Sequence, residues 1–159
     1  MIFLFKIFDM RRTLFVLLAG IIFSCTEQKQ EDPVLTAYYK VKDALVETNS
    51  ADAALYAQEL SKLTSNDPIW SDVSLHAGEM AVSQDDVEEQ REAFERLSNA
   101  LYDAFQAANP NGATIYVQYC PMAFNDKGAY WLSSEEEIFN PYFGDKMLHC
   151  GVVKETIEL

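Results

Sequence analysis

Basic residues are scarce in this chain of 159 residues, which has 12 lysines and arginines against 25 aspartates and glutamates and a formal net charge of −13 at pH 7. A surface of this sign repels phosphate backbones, so no nucleic acid is expected as a partner. Histidine is scarce too, with two residues. The sequence also lacks CxxC, HExxH, a nucleophile elbow and a phosphate-cradling glycine loop, and we therefore expect no enzymatic activity.

The sequence has no hydrophobic run long enough to cross a bilayer. The apolar run at residues 14–23 is about half as long as the roughly 20 residues that a membrane-spanning helix needs. Basic residues precede this run and Ser24-Cys25 follows it, which is the order of an export signal. We therefore predict a cleaved signal peptide at residues 1–24. Translation starts at Met1 or Met10, and either start gives a complete signal.

Cys25 and the residues before it resemble the lipobox of bacterial lipoproteins, in which the cysteine is acylated before the signal is cleaved. The resemblance implies that Cys25 carries lipid and anchors the protein to a membrane; the alternative is a plain secretory signal. Residues 25–32 are polar, as suits a flexible tether. Thr26 does not resemble the aspartate that retains some lipoproteins at the inner membrane, so we expect attachment to the outer membrane, facing the periplasm.

The fold is predicted to be mostly α. Apolar residues recur at helical spacing in four segments, at about residues 34–49, 50–63, 69–82 and 87–108. The clearest stripe is on the fourth, where it includes Phe94, Leu97, Leu101 and Phe105. Because the connections are short, we predict a four-helix up-and-down bundle at residues 33–109.

A change of pattern after Gly112 predicts β-structure. Residues 114–119 are rich in β-branched and aromatic side chains, and a turn signal at residues 125–128 precedes the apolar residues 129–132. This pattern predicts a β-hairpin. We expect the remainder to be mainly loop, with a short strand near Val152-Val153. Residues 33–159 are thus predicted to be one globular domain, in which a small C-terminal β-hairpin and loop cap at 113–159 follows the bundle.

Two cysteines lie in this cap, and each has a methionine nearby: Cys120 is close to Met122, and Cys150 is close to Met147. If the fold brings these segments together, their thiolate and thioether groups would select Cu(I) over hard cations. The alternative is a Cys120–Cys150 disulfide, which an oxidising envelope permits. Closing a loop of about 30 residues would contribute roughly 3 to 4 kcal/mol in the chain-entropy model. From the residues alone, the disulfide is the favoured interpretation.

Several motifs resemble a known family, called domain of unknown function 3347. The resemblance extends from about Ala37 to Leu159 and includes Arg91 and Phe94. Its sharpest motifs are Tyr119-Cys120-Pro121-Met122-Ala123, Gly128-Ala129-Tyr130-Trp131-Leu132-Ser133, Asn140-Pro141-Tyr142-Phe143-Gly144, Met147-Leu148 and Cys150-Gly151.

Members of that family occur as stand-alone lipoproteins and as end domains on periplasmic adaptor subunits of heavy-metal efflux pumps. The resemblance therefore implies copper or silver handling, with Cys120, Met122, Met147 and Cys150 as candidate ligands of Cu(I) or Ag(I).

Four further features are weaker candidates. His149 lies among the sulfur residues but is not part of the family pattern. His76 is predicted on the apolar side of the third helix, where a hydrogen-bonded core histidine is the favoured interpretation over a ligand. Trp131 could cover a Cu(I) ion with its ring face, although a core position is favoured. The run Glu135-Glu136-Glu137 is predicted to be a solvated helix start.

These observations together predict an envelope lipoprotein that binds a soft heavy-metal ion, as a buffer or as an accessory to a metal efflux system. The alternative from another class is a structural or protein-interaction lipoprotein that binds no metal and contains a Cys120–Cys150 disulfide.

Overall fold

The computed structural model describes residues 32–108 and 114–158. The predicted signal peptide and Cys25, the predicted site of lipidation, lie outside these ranges. Among the described residues, no helix has both the length and the apolar composition needed to span a membrane.

The four predicted helices are present. They are α1 (Pro33–Val46), α2 (Ser50–Thr64), α3 (Ser71–Val82) and α4 (Val87–Ala108), with a 3-10 turn at Pro68–Trp70 before α3. Side-chain caps explain three of the starts, and at α4 the Asp86 carboxylate accepts hydrogen bonds from the amides of Glu88 and Glu89. The Asp32 carboxylate accepts hydrogen bonds from the amides of Val34 and Leu35, and the Asn49 side chain accepts one from the amide of Asp52. The up-and-down arrangement of the helices stays a prediction.

Tyr38 of α1 joins the helices to the sheet that follows them. Its ring stacks on Phe94 of α4, with 5.2 Å between the centroids, and its hydroxyl lies 2.6 Å from the Ser98 hydroxyl. The same hydroxyl accepts a hydrogen bond from the amide of Leu132. All four residues are buried. The helices and the sheet therefore share one hydrophobic core.

The C-terminal part is a three-stranded antiparallel sheet in the order β2-β1-β3. Its strands are β1 (Thr114–Cys120), β2 (Ala129–Ser133) and β3 (Val152–Glu158). The β1–β2 hairpin confirms the prediction.

The expectation of a hairpin with a loop cap was incomplete, because β3 is a full strand that pairs with β1. Sequence reasoning found only its first two residues. Most side chains of β3 are exposed at the edge of the sheet, so the strand lacks the apolar alternation by which a half-buried strand is recognised.

A tight turn containing the short helix α5 (Ala123–Asp126) connects β1 to β2. Phe124, Asn125 and Asp126 all have positive φ, between 51° and 64°. Non-glycine residues adopt this left-handed conformation rarely and mostly singly. Gly128, at φ 77°, ends the turn beneath the Tyr119 hydroxyl, which occupies the space that a Cβ would need. Only glycine fits there.

The run Glu135-Glu136-Glu137 is a bend, and the predicted helix start was wrong. The carboxylates are exposed, as expected. The backbone carbonyls of all three residues, however, accept hydrogen bonds from the side-chain amide nitrogen of Gln118, a buried residue of β1. Because these carbonyls turn inward to Gln118, the backbone does not make the hydrogen bonds of a helix.

Candidate metal centre

Cys120 and Cys150 lie in contact, with 3.5 Å between their Sγ atoms. Cys120 is the last residue of β1, and Cys150 lies two residues before β3. Since these strands are antiparallel, with Tyr119 opposite Val152, the end of β1 comes next to the residues that precede β3. The strand that sequence reasoning found only in part is thus the element that brings the two thiols together.

Both cysteines are free thiols in this structure. A disulfide requires an S–S distance of about 2.05 Å, which is well below the observed 3.5 Å. The two thiols differ in access, because Cys120 is fully buried and Cys150 is partly exposed. Any reagent or ion arriving from solvent therefore meets Cys150 first.

Asn140 holds the chain segment that carries Cys150. Its side-chain amide donates a hydrogen bond of 2.7 Å to the Cys150 carbonyl, while its side-chain oxygen accepts one from the amide of Tyr142. Its backbone amide donates to the Leu148 carbonyl. Asn140 is fully buried. These bonds fix the backbone on either side of His149.

Arg91 fastens the same loop to the helices. It is buried on α4, and its Nε donates a 3.0 Å hydrogen bond to the Pro141 carbonyl. Its Nη2 donates to the Thr48 hydroxyl just beyond α1, and its Nη1 pairs with Glu88. No role could be assigned to Arg91 or Asn140 from the sequence. The sequence does contain a signal for each. Arg91 is a strongly polar residue inside the apolar stripe of α4, and Asn140 is a polar residue directly before Pro141.

Tyr142 fills the space between the loop, α4 and the hairpin. Its ring lies 5.8 Å from that of Trp131 and 5.9 Å from that of Phe94, measured between centroids, and its hydroxyl donates to the Tyr130 carbonyl. Burial, followed by the nearby Tyr38, raises the pKa of Tyr142 well above its ordinary value.

The pKa of the Cys150 thiol is raised, first by its hydrogen bond with Cys120 and then by desolvation. The Cys150 sulfur is therefore protonated at neutral pH. A metal ion that binds there must displace this proton, because thiolate is the form that binds metals.

Met147 lies near Cys150, whereas Met122 faces solvent. The Cys150 amide donates a 3.1 Å hydrogen bond to the Met147 carbonyl, closing a turn at residues 147–150. The first and fourth Cα atoms of such a turn are within about 7 Å of each other. Met147 is partly buried, while Met122, two residues after Cys120, is 47% exposed. Of the two methionines, Met147 is the less exposed.

His149 occupies the third position of that turn and is exposed. Its Nδ1 lies 2.8 Å from the Ile138 carbonyl oxygen, and its ring lies 5.6 Å from that of Phe139. Since one ring nitrogen is engaged with the backbone, Nε2 is the nitrogen left for other contacts.

The expectation that His76 is a core histidine was wrong. His76 is only partly buried, and its Nδ1 lies 3.0 Å from a carboxylate oxygen of Glu79, which also pairs with Arg96. The hydrogen bond with His76 is the main cause of the lowered pKa of Glu79. His76 is thus part of a polar surface cluster on α3 and α4.

Trp131 is fully buried and packs in the core, as the favoured interpretation expected. It is also close to the cysteine segment. A Cβ added to Gly151 would lie 2.9 Å from the Trp131 ring and 3.1 Å from the Tyr119 carbonyl oxygen. Gly151 therefore allows the chain to pass closely over Trp131 between Cys150 and β3.

Sulfur dominates the donor atoms at this site. Within the described ranges, no group of three or more histidine, cysteine, aspartate or glutamate side chains is arranged to hold a metal ion. Two thiols in contact, with Met147 in the same backbone turn as Cys150, nevertheless suit a soft ion that accepts few sulfur ligands. The site fits Cu(I) or Ag(I) better than Mg²⁺, Ca²⁺ or Mn²⁺, which prefer oxygen.

The described residues define a mostly helical protein with a C-terminal three-stranded antiparallel sheet. Residues 34–112 match the model of a family described as "Protein of unknown function (DUF3347)", which is the family that the sequence resembles. These 79 residues are just under half of the 159-residue chain, and over them the chain is similar to this family. No curated protein and no solved structure matches the chain. The matched residues comprise the four long helices and end before β1, so the two thiols lie outside the match.

Proposed function

We propose that Cys120 and Cys150 bind one soft monovalent heavy-metal ion, Cu(I) or Ag(I), as a pair of thiolates. The observation that carries this proposal is the 3.5 Å contact between two free thiols on different parts of the chain. Thiolate sulfur is the ligand type that selects Cu(I). Asn140, Arg91 and Gly151 hold the segment of Cys150 against Cys120, so the two donors are positioned before the ion arrives.

Met147 is our candidate for a third ligand. The turn at residues 147–150 places its backbone beside that of Cys150. A thioether carries no proton at neutral pH and adds no charge to the two thiolates, so it can join without further desolvation of charge. Met122 is more exposed, at 47%. We assign it the weaker contribution.

The proposed cellular setting is the bacterial envelope. The sequence pattern of residues 1–24 supports export, and Cys25 supports attachment to the outer membrane through lipid, facing the periplasm. The family resemblance supports a role as an ion buffer or as an accessory that passes the ion to a heavy-metal efflux system. In this proposal the helices, taken as an up-and-down bundle, are the platform that carries the ion site.

The contact between the thiols also supports the alternative, a structural or interaction lipoprotein with a Cys120–Cys150 disulfide. Shortening the sulfur separation from 3.5 Å to about 2.05 Å requires little movement of Cys150. In that case the acidic surface, rather than an ion site, would be the functional feature.

Competitive titration distinguishes the two candidates. A chain beginning at residue 26 retains all described residues and has Cys120 and Cys150 as its only thiols. We expect it to take Cu(I) from a competing chelator under anaerobic reduction, and Cys120→Ser to abolish this uptake. Met147→Leu should weaken binding more than the matched Met122→Leu. Weak binding that none of these changes affects would contradict the proposal. A metal-free native mass two hydrogens below the reduced value would favour the disulfide.

A further inference from the structure

We infer that His149 is a transient ligand for the metal ion during loading. Its Nε2 binds the ion at the surface first, and the ion then passes to Cys150. This inference rests on the proposed function of the thiol pair. It assigns to His149 a kinetic role in loading and release, distinct from the equilibrium role of the two thiolates.

The hydrogen bond of His149 determines the form of its ring. A carbonyl oxygen can only accept, so the 2.8 Å contact with the Ile138 carbonyl requires Nδ1 to carry the proton. In the neutral imidazole, Nε2 then has a free lone pair. Metal-binding histidines commonly have this arrangement, in which the second ring nitrogen donates to a backbone carbonyl and fixes the ring orientation.

The position of His149 suits a first contact with an incoming ion. It is exposed, it directly precedes Cys150, and it shares a tight turn with Met147. The second thiol, Cys120, is fully buried. An ion from solvent therefore meets the exposed His149 and the partly exposed Cys150 before it reaches the buried sulfur of Cys120. The Phe139 ring beside the imidazole further limits rotation of His149.

The transfer proceeds by ligand exchange without oxidation or reduction. Nε2 forms a bond to the ion as one ligand of the carrier leaves. Cys150 then forms a sulfur–metal bond as the remaining carrier ligand leaves, and its thiol proton passes to water. Cys120 next forms its own sulfur–metal bond and loses its proton to water as the imidazole is released. The overall change converts one monovalent cation and two thiols into a dithiolate complex with one negative charge and two protons in solvent.

The first test examines the metal-free protein. Long-range ¹⁵N–¹H correlation spectra at mildly alkaline pH distinguish the two neutral histidine tautomers. We expect His149 to show the form protonated on Nδ1. The form protonated on Nε2 would overturn the inference, because the lone pair would then lie on the nitrogen that faces Ile138.

The second test measures the rate at which reduced protein takes Ag(I) from a competing thioether ligand. We expect His149→Leu to slow uptake about tenfold, equivalent to about 1.4 kcal/mol, and to leave equilibrium affinity within a factor of about two. His149→Met should restore the rate, because it supplies a soft donor without the hydrogen bond to Ile138. The matched control is His76→Leu, which should load at the wild-type rate.

The outcomes separate this inference from the proposed function. If wild-type protein shows no Ag(I) binding that depends on Cys120, the proposed function fails. If wild-type protein binds Ag(I) and His149→Leu loads equally fast, only the inference about His149 fails. If His149→Met loads as slowly as His149→Leu, the loss of the Ile138 hydrogen bond explains the effect and the ligand role is excluded.

Discussion

At the scale of single residues, a few buried polar side chains hold the site together. Asn140 and Arg91 each bond to backbone carbonyls of the long loop, and Gln118 does the same for the acidic bend. Backbone groups buried without a partner are costly, so such bonds stabilise a loop that has little regular structure. Asn140 and Arg91 therefore position the loop that carries Cys150.

Asn140→Ala should destabilise the fold and separate the thiols. The change leaves the Cys150 carbonyl and the Tyr142 amide without their partners. We expect a loss of about 2 to 4 kcal/mol in the free energy of unfolding, since each buried unpaired group costs about 1 to 3 kcal/mol. Urea denaturation measures this. The matched control is Asn99→Ala, where an exposed asparagine bonds to Glu95 on the surface of α4. Equal effects of the two changes would contradict the assigned role.

The Cys150 thiol predicts a pH dependence of ion binding. Its raised pKa means that the proton is retained at neutral pH and must be displaced by the ion. Apparent affinity should therefore increase as pH rises towards this pKa, by about tenfold per unit for this proton. Calorimetry in buffers of different ionisation enthalpy counts the protons released. Affinity that stays constant between about pH 6 and 8 would show that Cys150 is already a thiolate, contrary to the direction of its pKa shift.

At the scale of elements, the helices and the hairpin could be predicted because their sequence patterns arise from contacts between nearby residues. The apolar stripe of α4 and the turn signal before β2 each reflect contacts between residues near in sequence. The pattern of β3 did not indicate its full length, because an exposed edge strand is held by backbone bonds to β1 and not by alternating apolar side chains. The burial of His76 could not be predicted from its helical position, because a residue at the edge of an apolar face can turn towards solvent.

Gly151 lies directly before β3, where the chain passes so close to its neighbours that there is no room for a side chain. Its added Cβ in Gly151→Ala would lie within 3.1 Å of the Tyr119 carbonyl oxygen and closer still to the buried Trp131 ring. We expect a loss of about 1 to 3 kcal/mol, as for other overpacked sites, and a wider separation of Cys150 from Cys120. Thermal unfolding measures the loss of stability.

Gly78→Ala is the matched control. Gly78 lies in α3, and its nearest neighbour would be the Ser61 hydroxyl at an ordinary 3.5 Å. Alanine favours a helix interior by up to about 1 kcal/mol over glycine, so this change should stabilise the protein. The account would be contradicted if Gly151→Ala were as stable as the wild type.

At the scale of the whole molecule, the site depends on a pairing between distant parts of the chain. Cys120 and Cys150 are 30 residues apart, and local spacing gives no sign that they meet. The methionine near each cysteine made the sulfur residues candidates, and the resemblance to a family then favoured a metal site over the disulfide. The structure adds the difference in access between the two thiols and the orientation of His149, neither of which a sequence pattern contains.

X-ray absorption at the copper edge tests the central claim most directly, because it identifies the atoms bound to the ion. For reduced protein loaded with one equivalent of Cu(I), we predict a shell of two or three sulfur atoms. We further predict that Cys120→Ser loses this shell. A shell of nitrogen and oxygen atoms, or the same sulfur shell in the Cys120→Ser protein, would contradict the claim that Cys120 and Cys150 hold the ion.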